Sequence, residues 1–391
     1  MDRKVVKKKV VVVVPKLAGG GVERVMSIIS RYAPDHIDLV FVLFYPRITY
    51  QLRGTVYVIG GYSSLLGFLK RLMKLQGILL KERPNAILGC EKGRNLVLFT
   101  IGFKRFSRME TYPGVYLTTR VAKIIHWLKV KVLYRRSTII AISHGIKQAF
   151  VEKYGIPPEN VVVIYNPCDL SKIRTLSEEP LEPELIEIFK NPVILNVGRI
   201  VKGKGQWHLI RAFSLISKEY PDSRLVIVGD GLLRGYLEKL IKGLGLEGKV
   251  FILGFKPNPF KYMKGAFLFA FPSLVEGCPN VLIEALACRL PVIAADCPSG
   301  PREILNPGTR RAELRLPEYG KYGILMPVMD GKFYSANDPL TWQEEVWASE
   351  IIKCLETPKV LERYRKTAIQ RAKDFDAKKQ VEKYFEVLLE M

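Results

Sequence analysis

The sequence predicts an α/β protein of two successive domains, each an open, doubly wound sheet of parallel strands. Three observations carry this. At 391 residues the chain is about twice the size of a common single domain. Short β-branched runs alternate with amphipathic stretches, the rhythm of βαβ units. That rhythm stops after residue 166 and restarts near residue 191.

The first series opens with Val10–Val14, too short an apolar run and too closely followed by Lys16 for a secretory signal; it reads as a buried strand. A glycine turn, Gly19-Gly20-Gly21, then opens a helix, Leu39–Phe44 is a second strand, and Ser63–Glu82 is a helix. Ile139–Ile142 and Val161–Ile164 are strands on either side of a helix over Ser143–Tyr154. Pro167, Pro180 and Pro183 with a cluster of glutamates suit a connector. The second series has strands at Val193–Val197, Arg224–Val228, Val250–Leu253, Phe267–Phe271 and Pro291–Ala294, with helices over Gly203–Lys218 and Leu232–Lys242 and a helical stretch from Pro339 onward. The expected division is 1–170 for the first domain, 171–190 for the connector and 191–374 for the second domain. The helix over 375–391 is expected to return to the first.

Charge is unevenly distributed. Residues 1–175 hold 30 Lys and Arg against 10 Asp and Glu, so nearly all of the net +23 lies in the first domain. Such a surface attracts nucleic acid, anionic lipid or a phosphorylated substrate. No recognition helix or interleaved basic and aromatic pattern points to nucleic acid, which is not expected as a partner. The longest uncharged stretch near the middle, Gly265–Val275, is too short to span a bilayer as a helix. Six scattered cysteines lack metal-ligand spacing and read as free thiols inside a cell.

Ligands of open parallel sheets bind beyond the carboxyl ends of the strands, so two facing domains would hold substrate in the cleft between them. Three stretches fall there. Gly20 and Gly21 open a helix with backbone amides that can approach a phosphate. Arg199 and Lys204, flanked by glycines after Val193–Val197, suit a diphosphate: arginine grips through two hydrogen bonds and lysine acts as a point charge. The most informative stretch is Pro272–Ala287. Gly277, Cys278 and Pro279 turn the chain into a helix whose first amides, at Asn280 and Val281, face the cleft. Glu276 precedes this helix and Glu284 lies within it among apolar neighbours, so each carboxylate wants a partner such as a sugar diol. Ser299 and Arg302 form a further polar turn after Pro291–Ala294, open to phosphate or sugar.

The succession GR-x4-KG, VGDG, Glu276-x7-Glu284 and PVIA resembles the family 4 glycosyltransferases over most of the chain, most specifically in the second half. The resemblance implies the GT-B fold, transfer with retention of anomeric configuration and no obligatory metal or other cofactor. It implies that Arg199 and Lys204 hold the diphosphate of a nucleotide-sugar donor, Glu284 its ribose and Glu276 the transferred sugar, with Gly20 and Gly21 against the phosphates. Glu276-Gly-Cys-Pro-Asn with the segment from Cys297 to Leu305 is most similar to enzymes that extend lipid-linked oligosaccharides from UDP-N-acetylhexosamines. The sequence departs from many relatives in the first domain: Thr111 stands where a histidine often falls, beside Glu110, which is carried as a candidate catalytic group. Thr111 and His144 are candidate sugar contacts. Epimerase or phosphorylase chemistry on the same fold would need acid/base groups or a cofactor lysine that the sequence does not display. A soluble acceptor remains the alternative to a lipid-linked one.

Two stretches, Leu65–Lys81 and Ile124–Arg136, combine large apolar side chains with cations. They suggest interfacial helices that hold the protein at the inner face of the cell membrane, on anionic lipid. Nothing in the sequence sets an oligomeric state.

Overall fold

The computed structural model describes residues 7–61, 64–114, 119–311 and 313–390. Ser63, the expected start of one helix, lies outside them. The chain forms two compact units: Met1–Cys168 with Phe375–Met391, and Asp169–Asp374.

The first unit contains β1 (Lys8–Val14), α1 (Gly21–Tyr32), β2 (Ile37–Leu43), β3 (Thr55–Val58), α2 (Leu65–Glu82), β4 (Ala86–Gly89), α3 (Gly93–Val97), β5 (Arg105–Met109), α4 (Arg120–Leu133), β6 (Thr138–Ala141), α5 (His144–Tyr154) and β7 (Val161–Val163). Its seven strands are all parallel, in the order β3-β2-β1-β4-β5-β6-β7. Successive side chains of a strand point to opposite faces, and β1 uses this to feed two cores. Val10, Val12 and Val14 pack with Val25 and Ile29 of α1. Val11 and Val13 pack with Leu75 and Leu79 of α2 and Leu96 and Val97 of α3. The unbroken run of valines at 10–14 therefore suits a strand buried on both sides.

The second unit contains α6 (Leu170–Ser177), α7 (Pro183–Phe189), β8 (Val193–Val197), α8 (Gln206–Glu219), β9 (Arg224–Val228), α9 (Arg234–Gly243), β10 (Val250–Gly254), α10 (Phe260–Gly265), β11 (Leu268–Phe271), α11 (Asn280–Ala287), β12 (Val292–Ala295), α12 (Pro301–Leu305), β13 (Glu318–Tyr319), β14 (Ile324–Met326), α13 (Trp342–Glu356) and α14 (Lys359–Ala372). The strand order is β10-β9-β8-β11-β12-β14-β13, parallel except for the β13–β14 pair. Trp207, Phe213 and Ile216 of α8 meet Trp347 and Ile351 of α13 in its core.

Residues 171–190, expected as a connector, instead carry α6 and α7. Asp169 caps α6, its Oδ1 accepting from the Lys172 amide at 3.0 Å, and Pro183 is the first residue of α7. The prolines and acids that suggested a loop are helix-end signals.

The last helix, α15 (Ala377–Leu389), lies in the first unit, where Val381, Tyr384, Phe385 and Leu388 join the α1 side of the core. Tyr384 also receives a 2.9 Å hydrogen bond from Nε of the fully buried Arg108 on β5, whose Nη2 donates to Asn166.

Candidate functional site

In each sheet the strand order reverses direction once, and the crevice at that reversal is where an open α/β sheet binds ligand. In the second unit it lies between β8 and β11. The loop after β8 carries Arg199 and Lys204; the loop and helix after β11 carry Glu276 and Glu284. The sequence motifs therefore converge on one crevice.

Tight backbone packing aligns these two loops. The Leu274 amide donates to Gly203 O at 2.9 Å, and Gly205 takes φ +64° with the Pro272 carbonyl 2.5 Å from where a Cβ would stand. Any other residue at 205 would be both strained and obstructed. Lys204 Nζ thereby reaches Glu276 Oε1 at 2.5 Å and lies 5.4 Å from the centroid of the Phe271 ring. Both partners are largely shielded, with side-chain exposures of 23% and 12%. The two residues expected to serve phosphate and sugar are an ion pair here.

Arg199 is exposed and its side chain forms no ion pair among the described residues. Its carbonyl is held by Gln206 Nε2 at 3.1 Å. Gln206, at the first position of α8, escaped the sequence reading; the signal was a glutamine directly after a Lys-Gly pair. Around the crevice Asn196 Oδ1, Gln206 Oε1 and Ser273 Oγ are buried without a hydrogen-bond partner. Unsatisfied buried acceptors are rare enough to mark places where water or ligand belongs.

Pro279, the residue before α11, offers no capping side chain, and the half-buried Asn280 and Val281 form the first turn of the helix. Cys278 is buried in the preceding turn, and Pro279 is the residue just before the helix. Glu284 is 5% exposed on this helix. Cys297 lies close enough to feel the charges of Glu276 and Lys204, but burial pushes its thiol well above the usual range, so it is no nucleophile at neutral pH.

Ser299 donates to the Gly277 carbonyl at 2.8 Å and so braces the turn that carries Glu276. Arg302, expected as a sugar or phosphate contact, is a structural clamp. Its Nε and Nη2 bind Asp296 at 2.9–3.2 Å, its Nη1 and Nη2 bind Glu318 at 2.8 and 2.9 Å, and Nη1 also reaches Thr309. All three nitrogens are engaged within the unit, which leaves none for a ligand.

In the first unit the reversal lies between β1 and β4. Gly20 directly precedes α1 and Gly21 begins it, at the end of the β1 loop. Glu110 follows β5, and both its oxygens are engaged: Oε2 by Arg94, Oε1 by the Glu91 amide at 3.1 Å and, more distantly, by Arg108 at 3.4 Å. A carboxylate so held ties the loop after β5 to α3 and to the turn before it. Thr111 is exposed beside it. His144 is the exposed first residue of α5, and its ring lies 6.1 Å from that of Tyr165.

Comparison with known proteins places the chain in a family. The profile of Glycosyltransferase Family 4 matches residues 19–172, and that of Glycosyl transferases group 1 matches residues 180–312. An uncharacterized glycosyltransferase of Methanocaldococcus jannaschii is 35% identical over 81% of this chain and 82% of its own. The N-acetylgalactosamine-N,N'-diacetylbacillosaminyl-diphospho-undecaprenol 4-alpha-N-acetylgalactosaminyltransferase of Campylobacter jejuni is 29% identical over 76% of this chain and 84% of its own. The crystal structure of Anabaena HepE in complex with UDP and glucose superposes with a TM-score of 0.75 at 21% identity, covering 98% of this chain and all of that one. With two parallel-sheet units of the GT-B type and a relative 35% identical over 81% of its length, the chain belongs to the family 4 glycosyltransferases.

Proposed function

We propose that the protein moves a hexose or N-acetylhexosamine from a UDP-sugar to a lipid-linked saccharide, with retention of anomeric configuration and without a metal ion. The observation that carries this reading is the Lys204–Glu276 pair at the β8–β11 reversal, with the exposed Arg199 on the β8 loop and α11 following the β11 loop. A nucleoside diphosphate entering there brings more negative charge than Glu276 supplies. It draws Lys204 and Arg199 onto its phosphates, receives the α11 amides, and frees Glu276 to accept hydroxyls of the sugar. Glu284, deeper on the same helix, accepts the ribose diol. As the bond from the anomeric carbon to the diphosphate breaks, the two cations stabilise the charge on the leaving oxygen. That oxygen takes the acceptor's proton on the face from which it departs, which is consistent with retention. The UDP bound by HepE agrees with this choice of nucleotide.

The lipid-linked acceptor has two supports. The Campylobacter relative is named for an undecaprenol diphosphate acceptor. In the first unit α2 exposes Leu65, Leu66, Leu69, Met73 and Leu80, and α4 exposes Val121, Ile124, Ile125, Leu128 and Val132. Both helices also carry lysines, and no helix among the described residues is long and apolar enough to cross a membrane. Large apolar side chains mixed with cations fit an interfacial helix on anionic lipid, where a polyprenyl acceptor resides.

The test is turnover with a panel of UDP- and GDP-sugars, using a synthetic alkyl-diphosphate N-acetylhexosamine as acceptor. A UDP-sugar should be consumed and the new linkage should keep the donor's configuration, with activity unchanged after dialysis against EDTA. Activity restored only by Mg²⁺ or Mn²⁺ would refute the phosphate chemistry, and an inverted product would refute the mechanism.

A further inference from the structure

From the crevice of the first sheet we infer that Glu91 is the carboxylate that receives the acceptor's hydroxyl. The inference rests on the transferase reading above and goes beyond it by naming the acceptor-side group. Glu91 is the middle of the three residues between β4 and α3, at the reversal between β1 and β4, just after the strand next to the one that leads to Gly20 and Gly21. It is the first sheet's counterpart of the position that Glu276 holds in the second.

Three features single it out. Its backbone has φ +47°, a left-handed conformation that a residue with a Cβ adopts at a cost and that glycine would take freely. The turn enforces this: the Gly93 amide bonds Cys90 O at 2.8 Å, and the Val13 carbonyl lies 2.2 Å from where a Cβ of Gly93 would stand. The Glu91 amide is pinned to Glu110 Oε1, so the Arg94–Glu110–Arg108 network also fixes Glu91. Finally, the half-buried Glu91 carboxylate makes no hydrogen bond or ion pair among the described residues. Burial first, then Glu23 and Glu110, raise its pKa, while Arg94 and Lys16 oppose them. A half-buried carboxylate without a side-chain or backbone partner among the described residues, in a strained turn at a ligand crevice, is what a hydroxyl group would complete. Glu91 accepts the hydrogen bond and orients the oxygen; the proton itself departs to the diphosphate.

The strain makes the test clean. Glu91→Gly relieves the backbone, so a structural role predicts equal or better stability with intact activity. The inference predicts a Tm equal to or above wild type and unchanged calorimetric affinity for UDP. It also predicts roughly a ten- to hundredfold fall in kcat/KM for the alkyl-diphosphate acceptor, the range for a lost hydrogen bond to a charged group. Glu91→Gln, which keeps one acceptor oxygen, should fall in between. Full transfer activity in Glu91→Gly overturns the inference and leaves the transferase reading intact, as does a parallel loss of UDP affinity, which would mean a general disturbance. Wild-type protein that binds UDP but never glycosylates this acceptor would overturn both.

Discussion

Lys204 and Glu276 neutralise each other at 2.5 Å, and this coupling sets what single substitutions do. On the roles proposed above, Glu276→Ala removes the sugar contact and at the same time releases Lys204, so turnover should fall while UDP affinity holds or rises. Arg199→Ala and Glu284→Ala act on the nucleotide itself and should raise the Kd for UDP by about tenfold or more each. Calorimetry with free UDP separates the two outcomes, and unchanged affinity in both Arg199→Ala and Glu284→Ala would sink the donor-site assignment. At this scale residue type and spacing single out Arg199, Lys204, Glu276 and Glu284 in the sequence, and the fold brings the loops and helix that carry them to one crevice. The sequence did not reveal the clamp around Arg302. An exposed cation after a strand and one clamped by Asp296 and Glu318 look the same until the partners, 6 and 16 residues away, are folded onto it.

Among the elements, α12 and β13 depend on that clamp. The Arg302 hydrogen bond, opposed by partial burial and helped by Asn306, holds the Glu318 carboxyl below its ordinary value of 4.5. A carboxylate whose pKa is lowered on folding stabilises the fold above its unfolded pKa and loses that contribution as pH falls through the folded value. Glu318→Gln should therefore cost about 1 kcal/mol at pH 7, a figure discounted because the carboxylate is one-third exposed. Its unfolding curve should converge on that of the wild type as pH drops below about 4.5; a gap that persists in acid would refute the ion-pair account. The strands that a reader of the sequence finds, such as Val10–Val14 and Arg224–Val228, have contrast of their own. β4, only Ala86–Gly89, is too brief, and β5 reads Arg-Phe-Ser-Arg-Met, with a charge at a core position. Arg108 can be buried there because Asn166 and Tyr384, 58 and 276 residues away, receive its hydrogen bonds. No local pattern announces such a strand.

Over the whole molecule the excess of positive charge resides in residues 1–175, the region that also bears the exposed apolar side chains of α2 and α4. Binding to vesicles containing anionic lipid should be measurable by co-sedimentation and should weaken as ionic strength rises from about 0.05 to 0.5 M, because the Debye length shrinks over that range. Equal binding to neutral vesicles, or none to either, would refute the electrostatic part of the anchor. The return of α15 to the first unit has a different kind of consequence, one felt during synthesis. Once the strands of the first sheet have left the ribosome, the face lined by Val10, Val12 and Phe106 still lacks Tyr384, Phe385 and Leu388, and Arg108 lacks one of its acceptors. The whole of Asp169–Asp374 must be translated before they arrive, roughly ten to forty seconds at ordinary elongation rates. Throughout that interval the nascent chain shows an open apolar sheet face to chaperones, and the unit made first is the unit completed last.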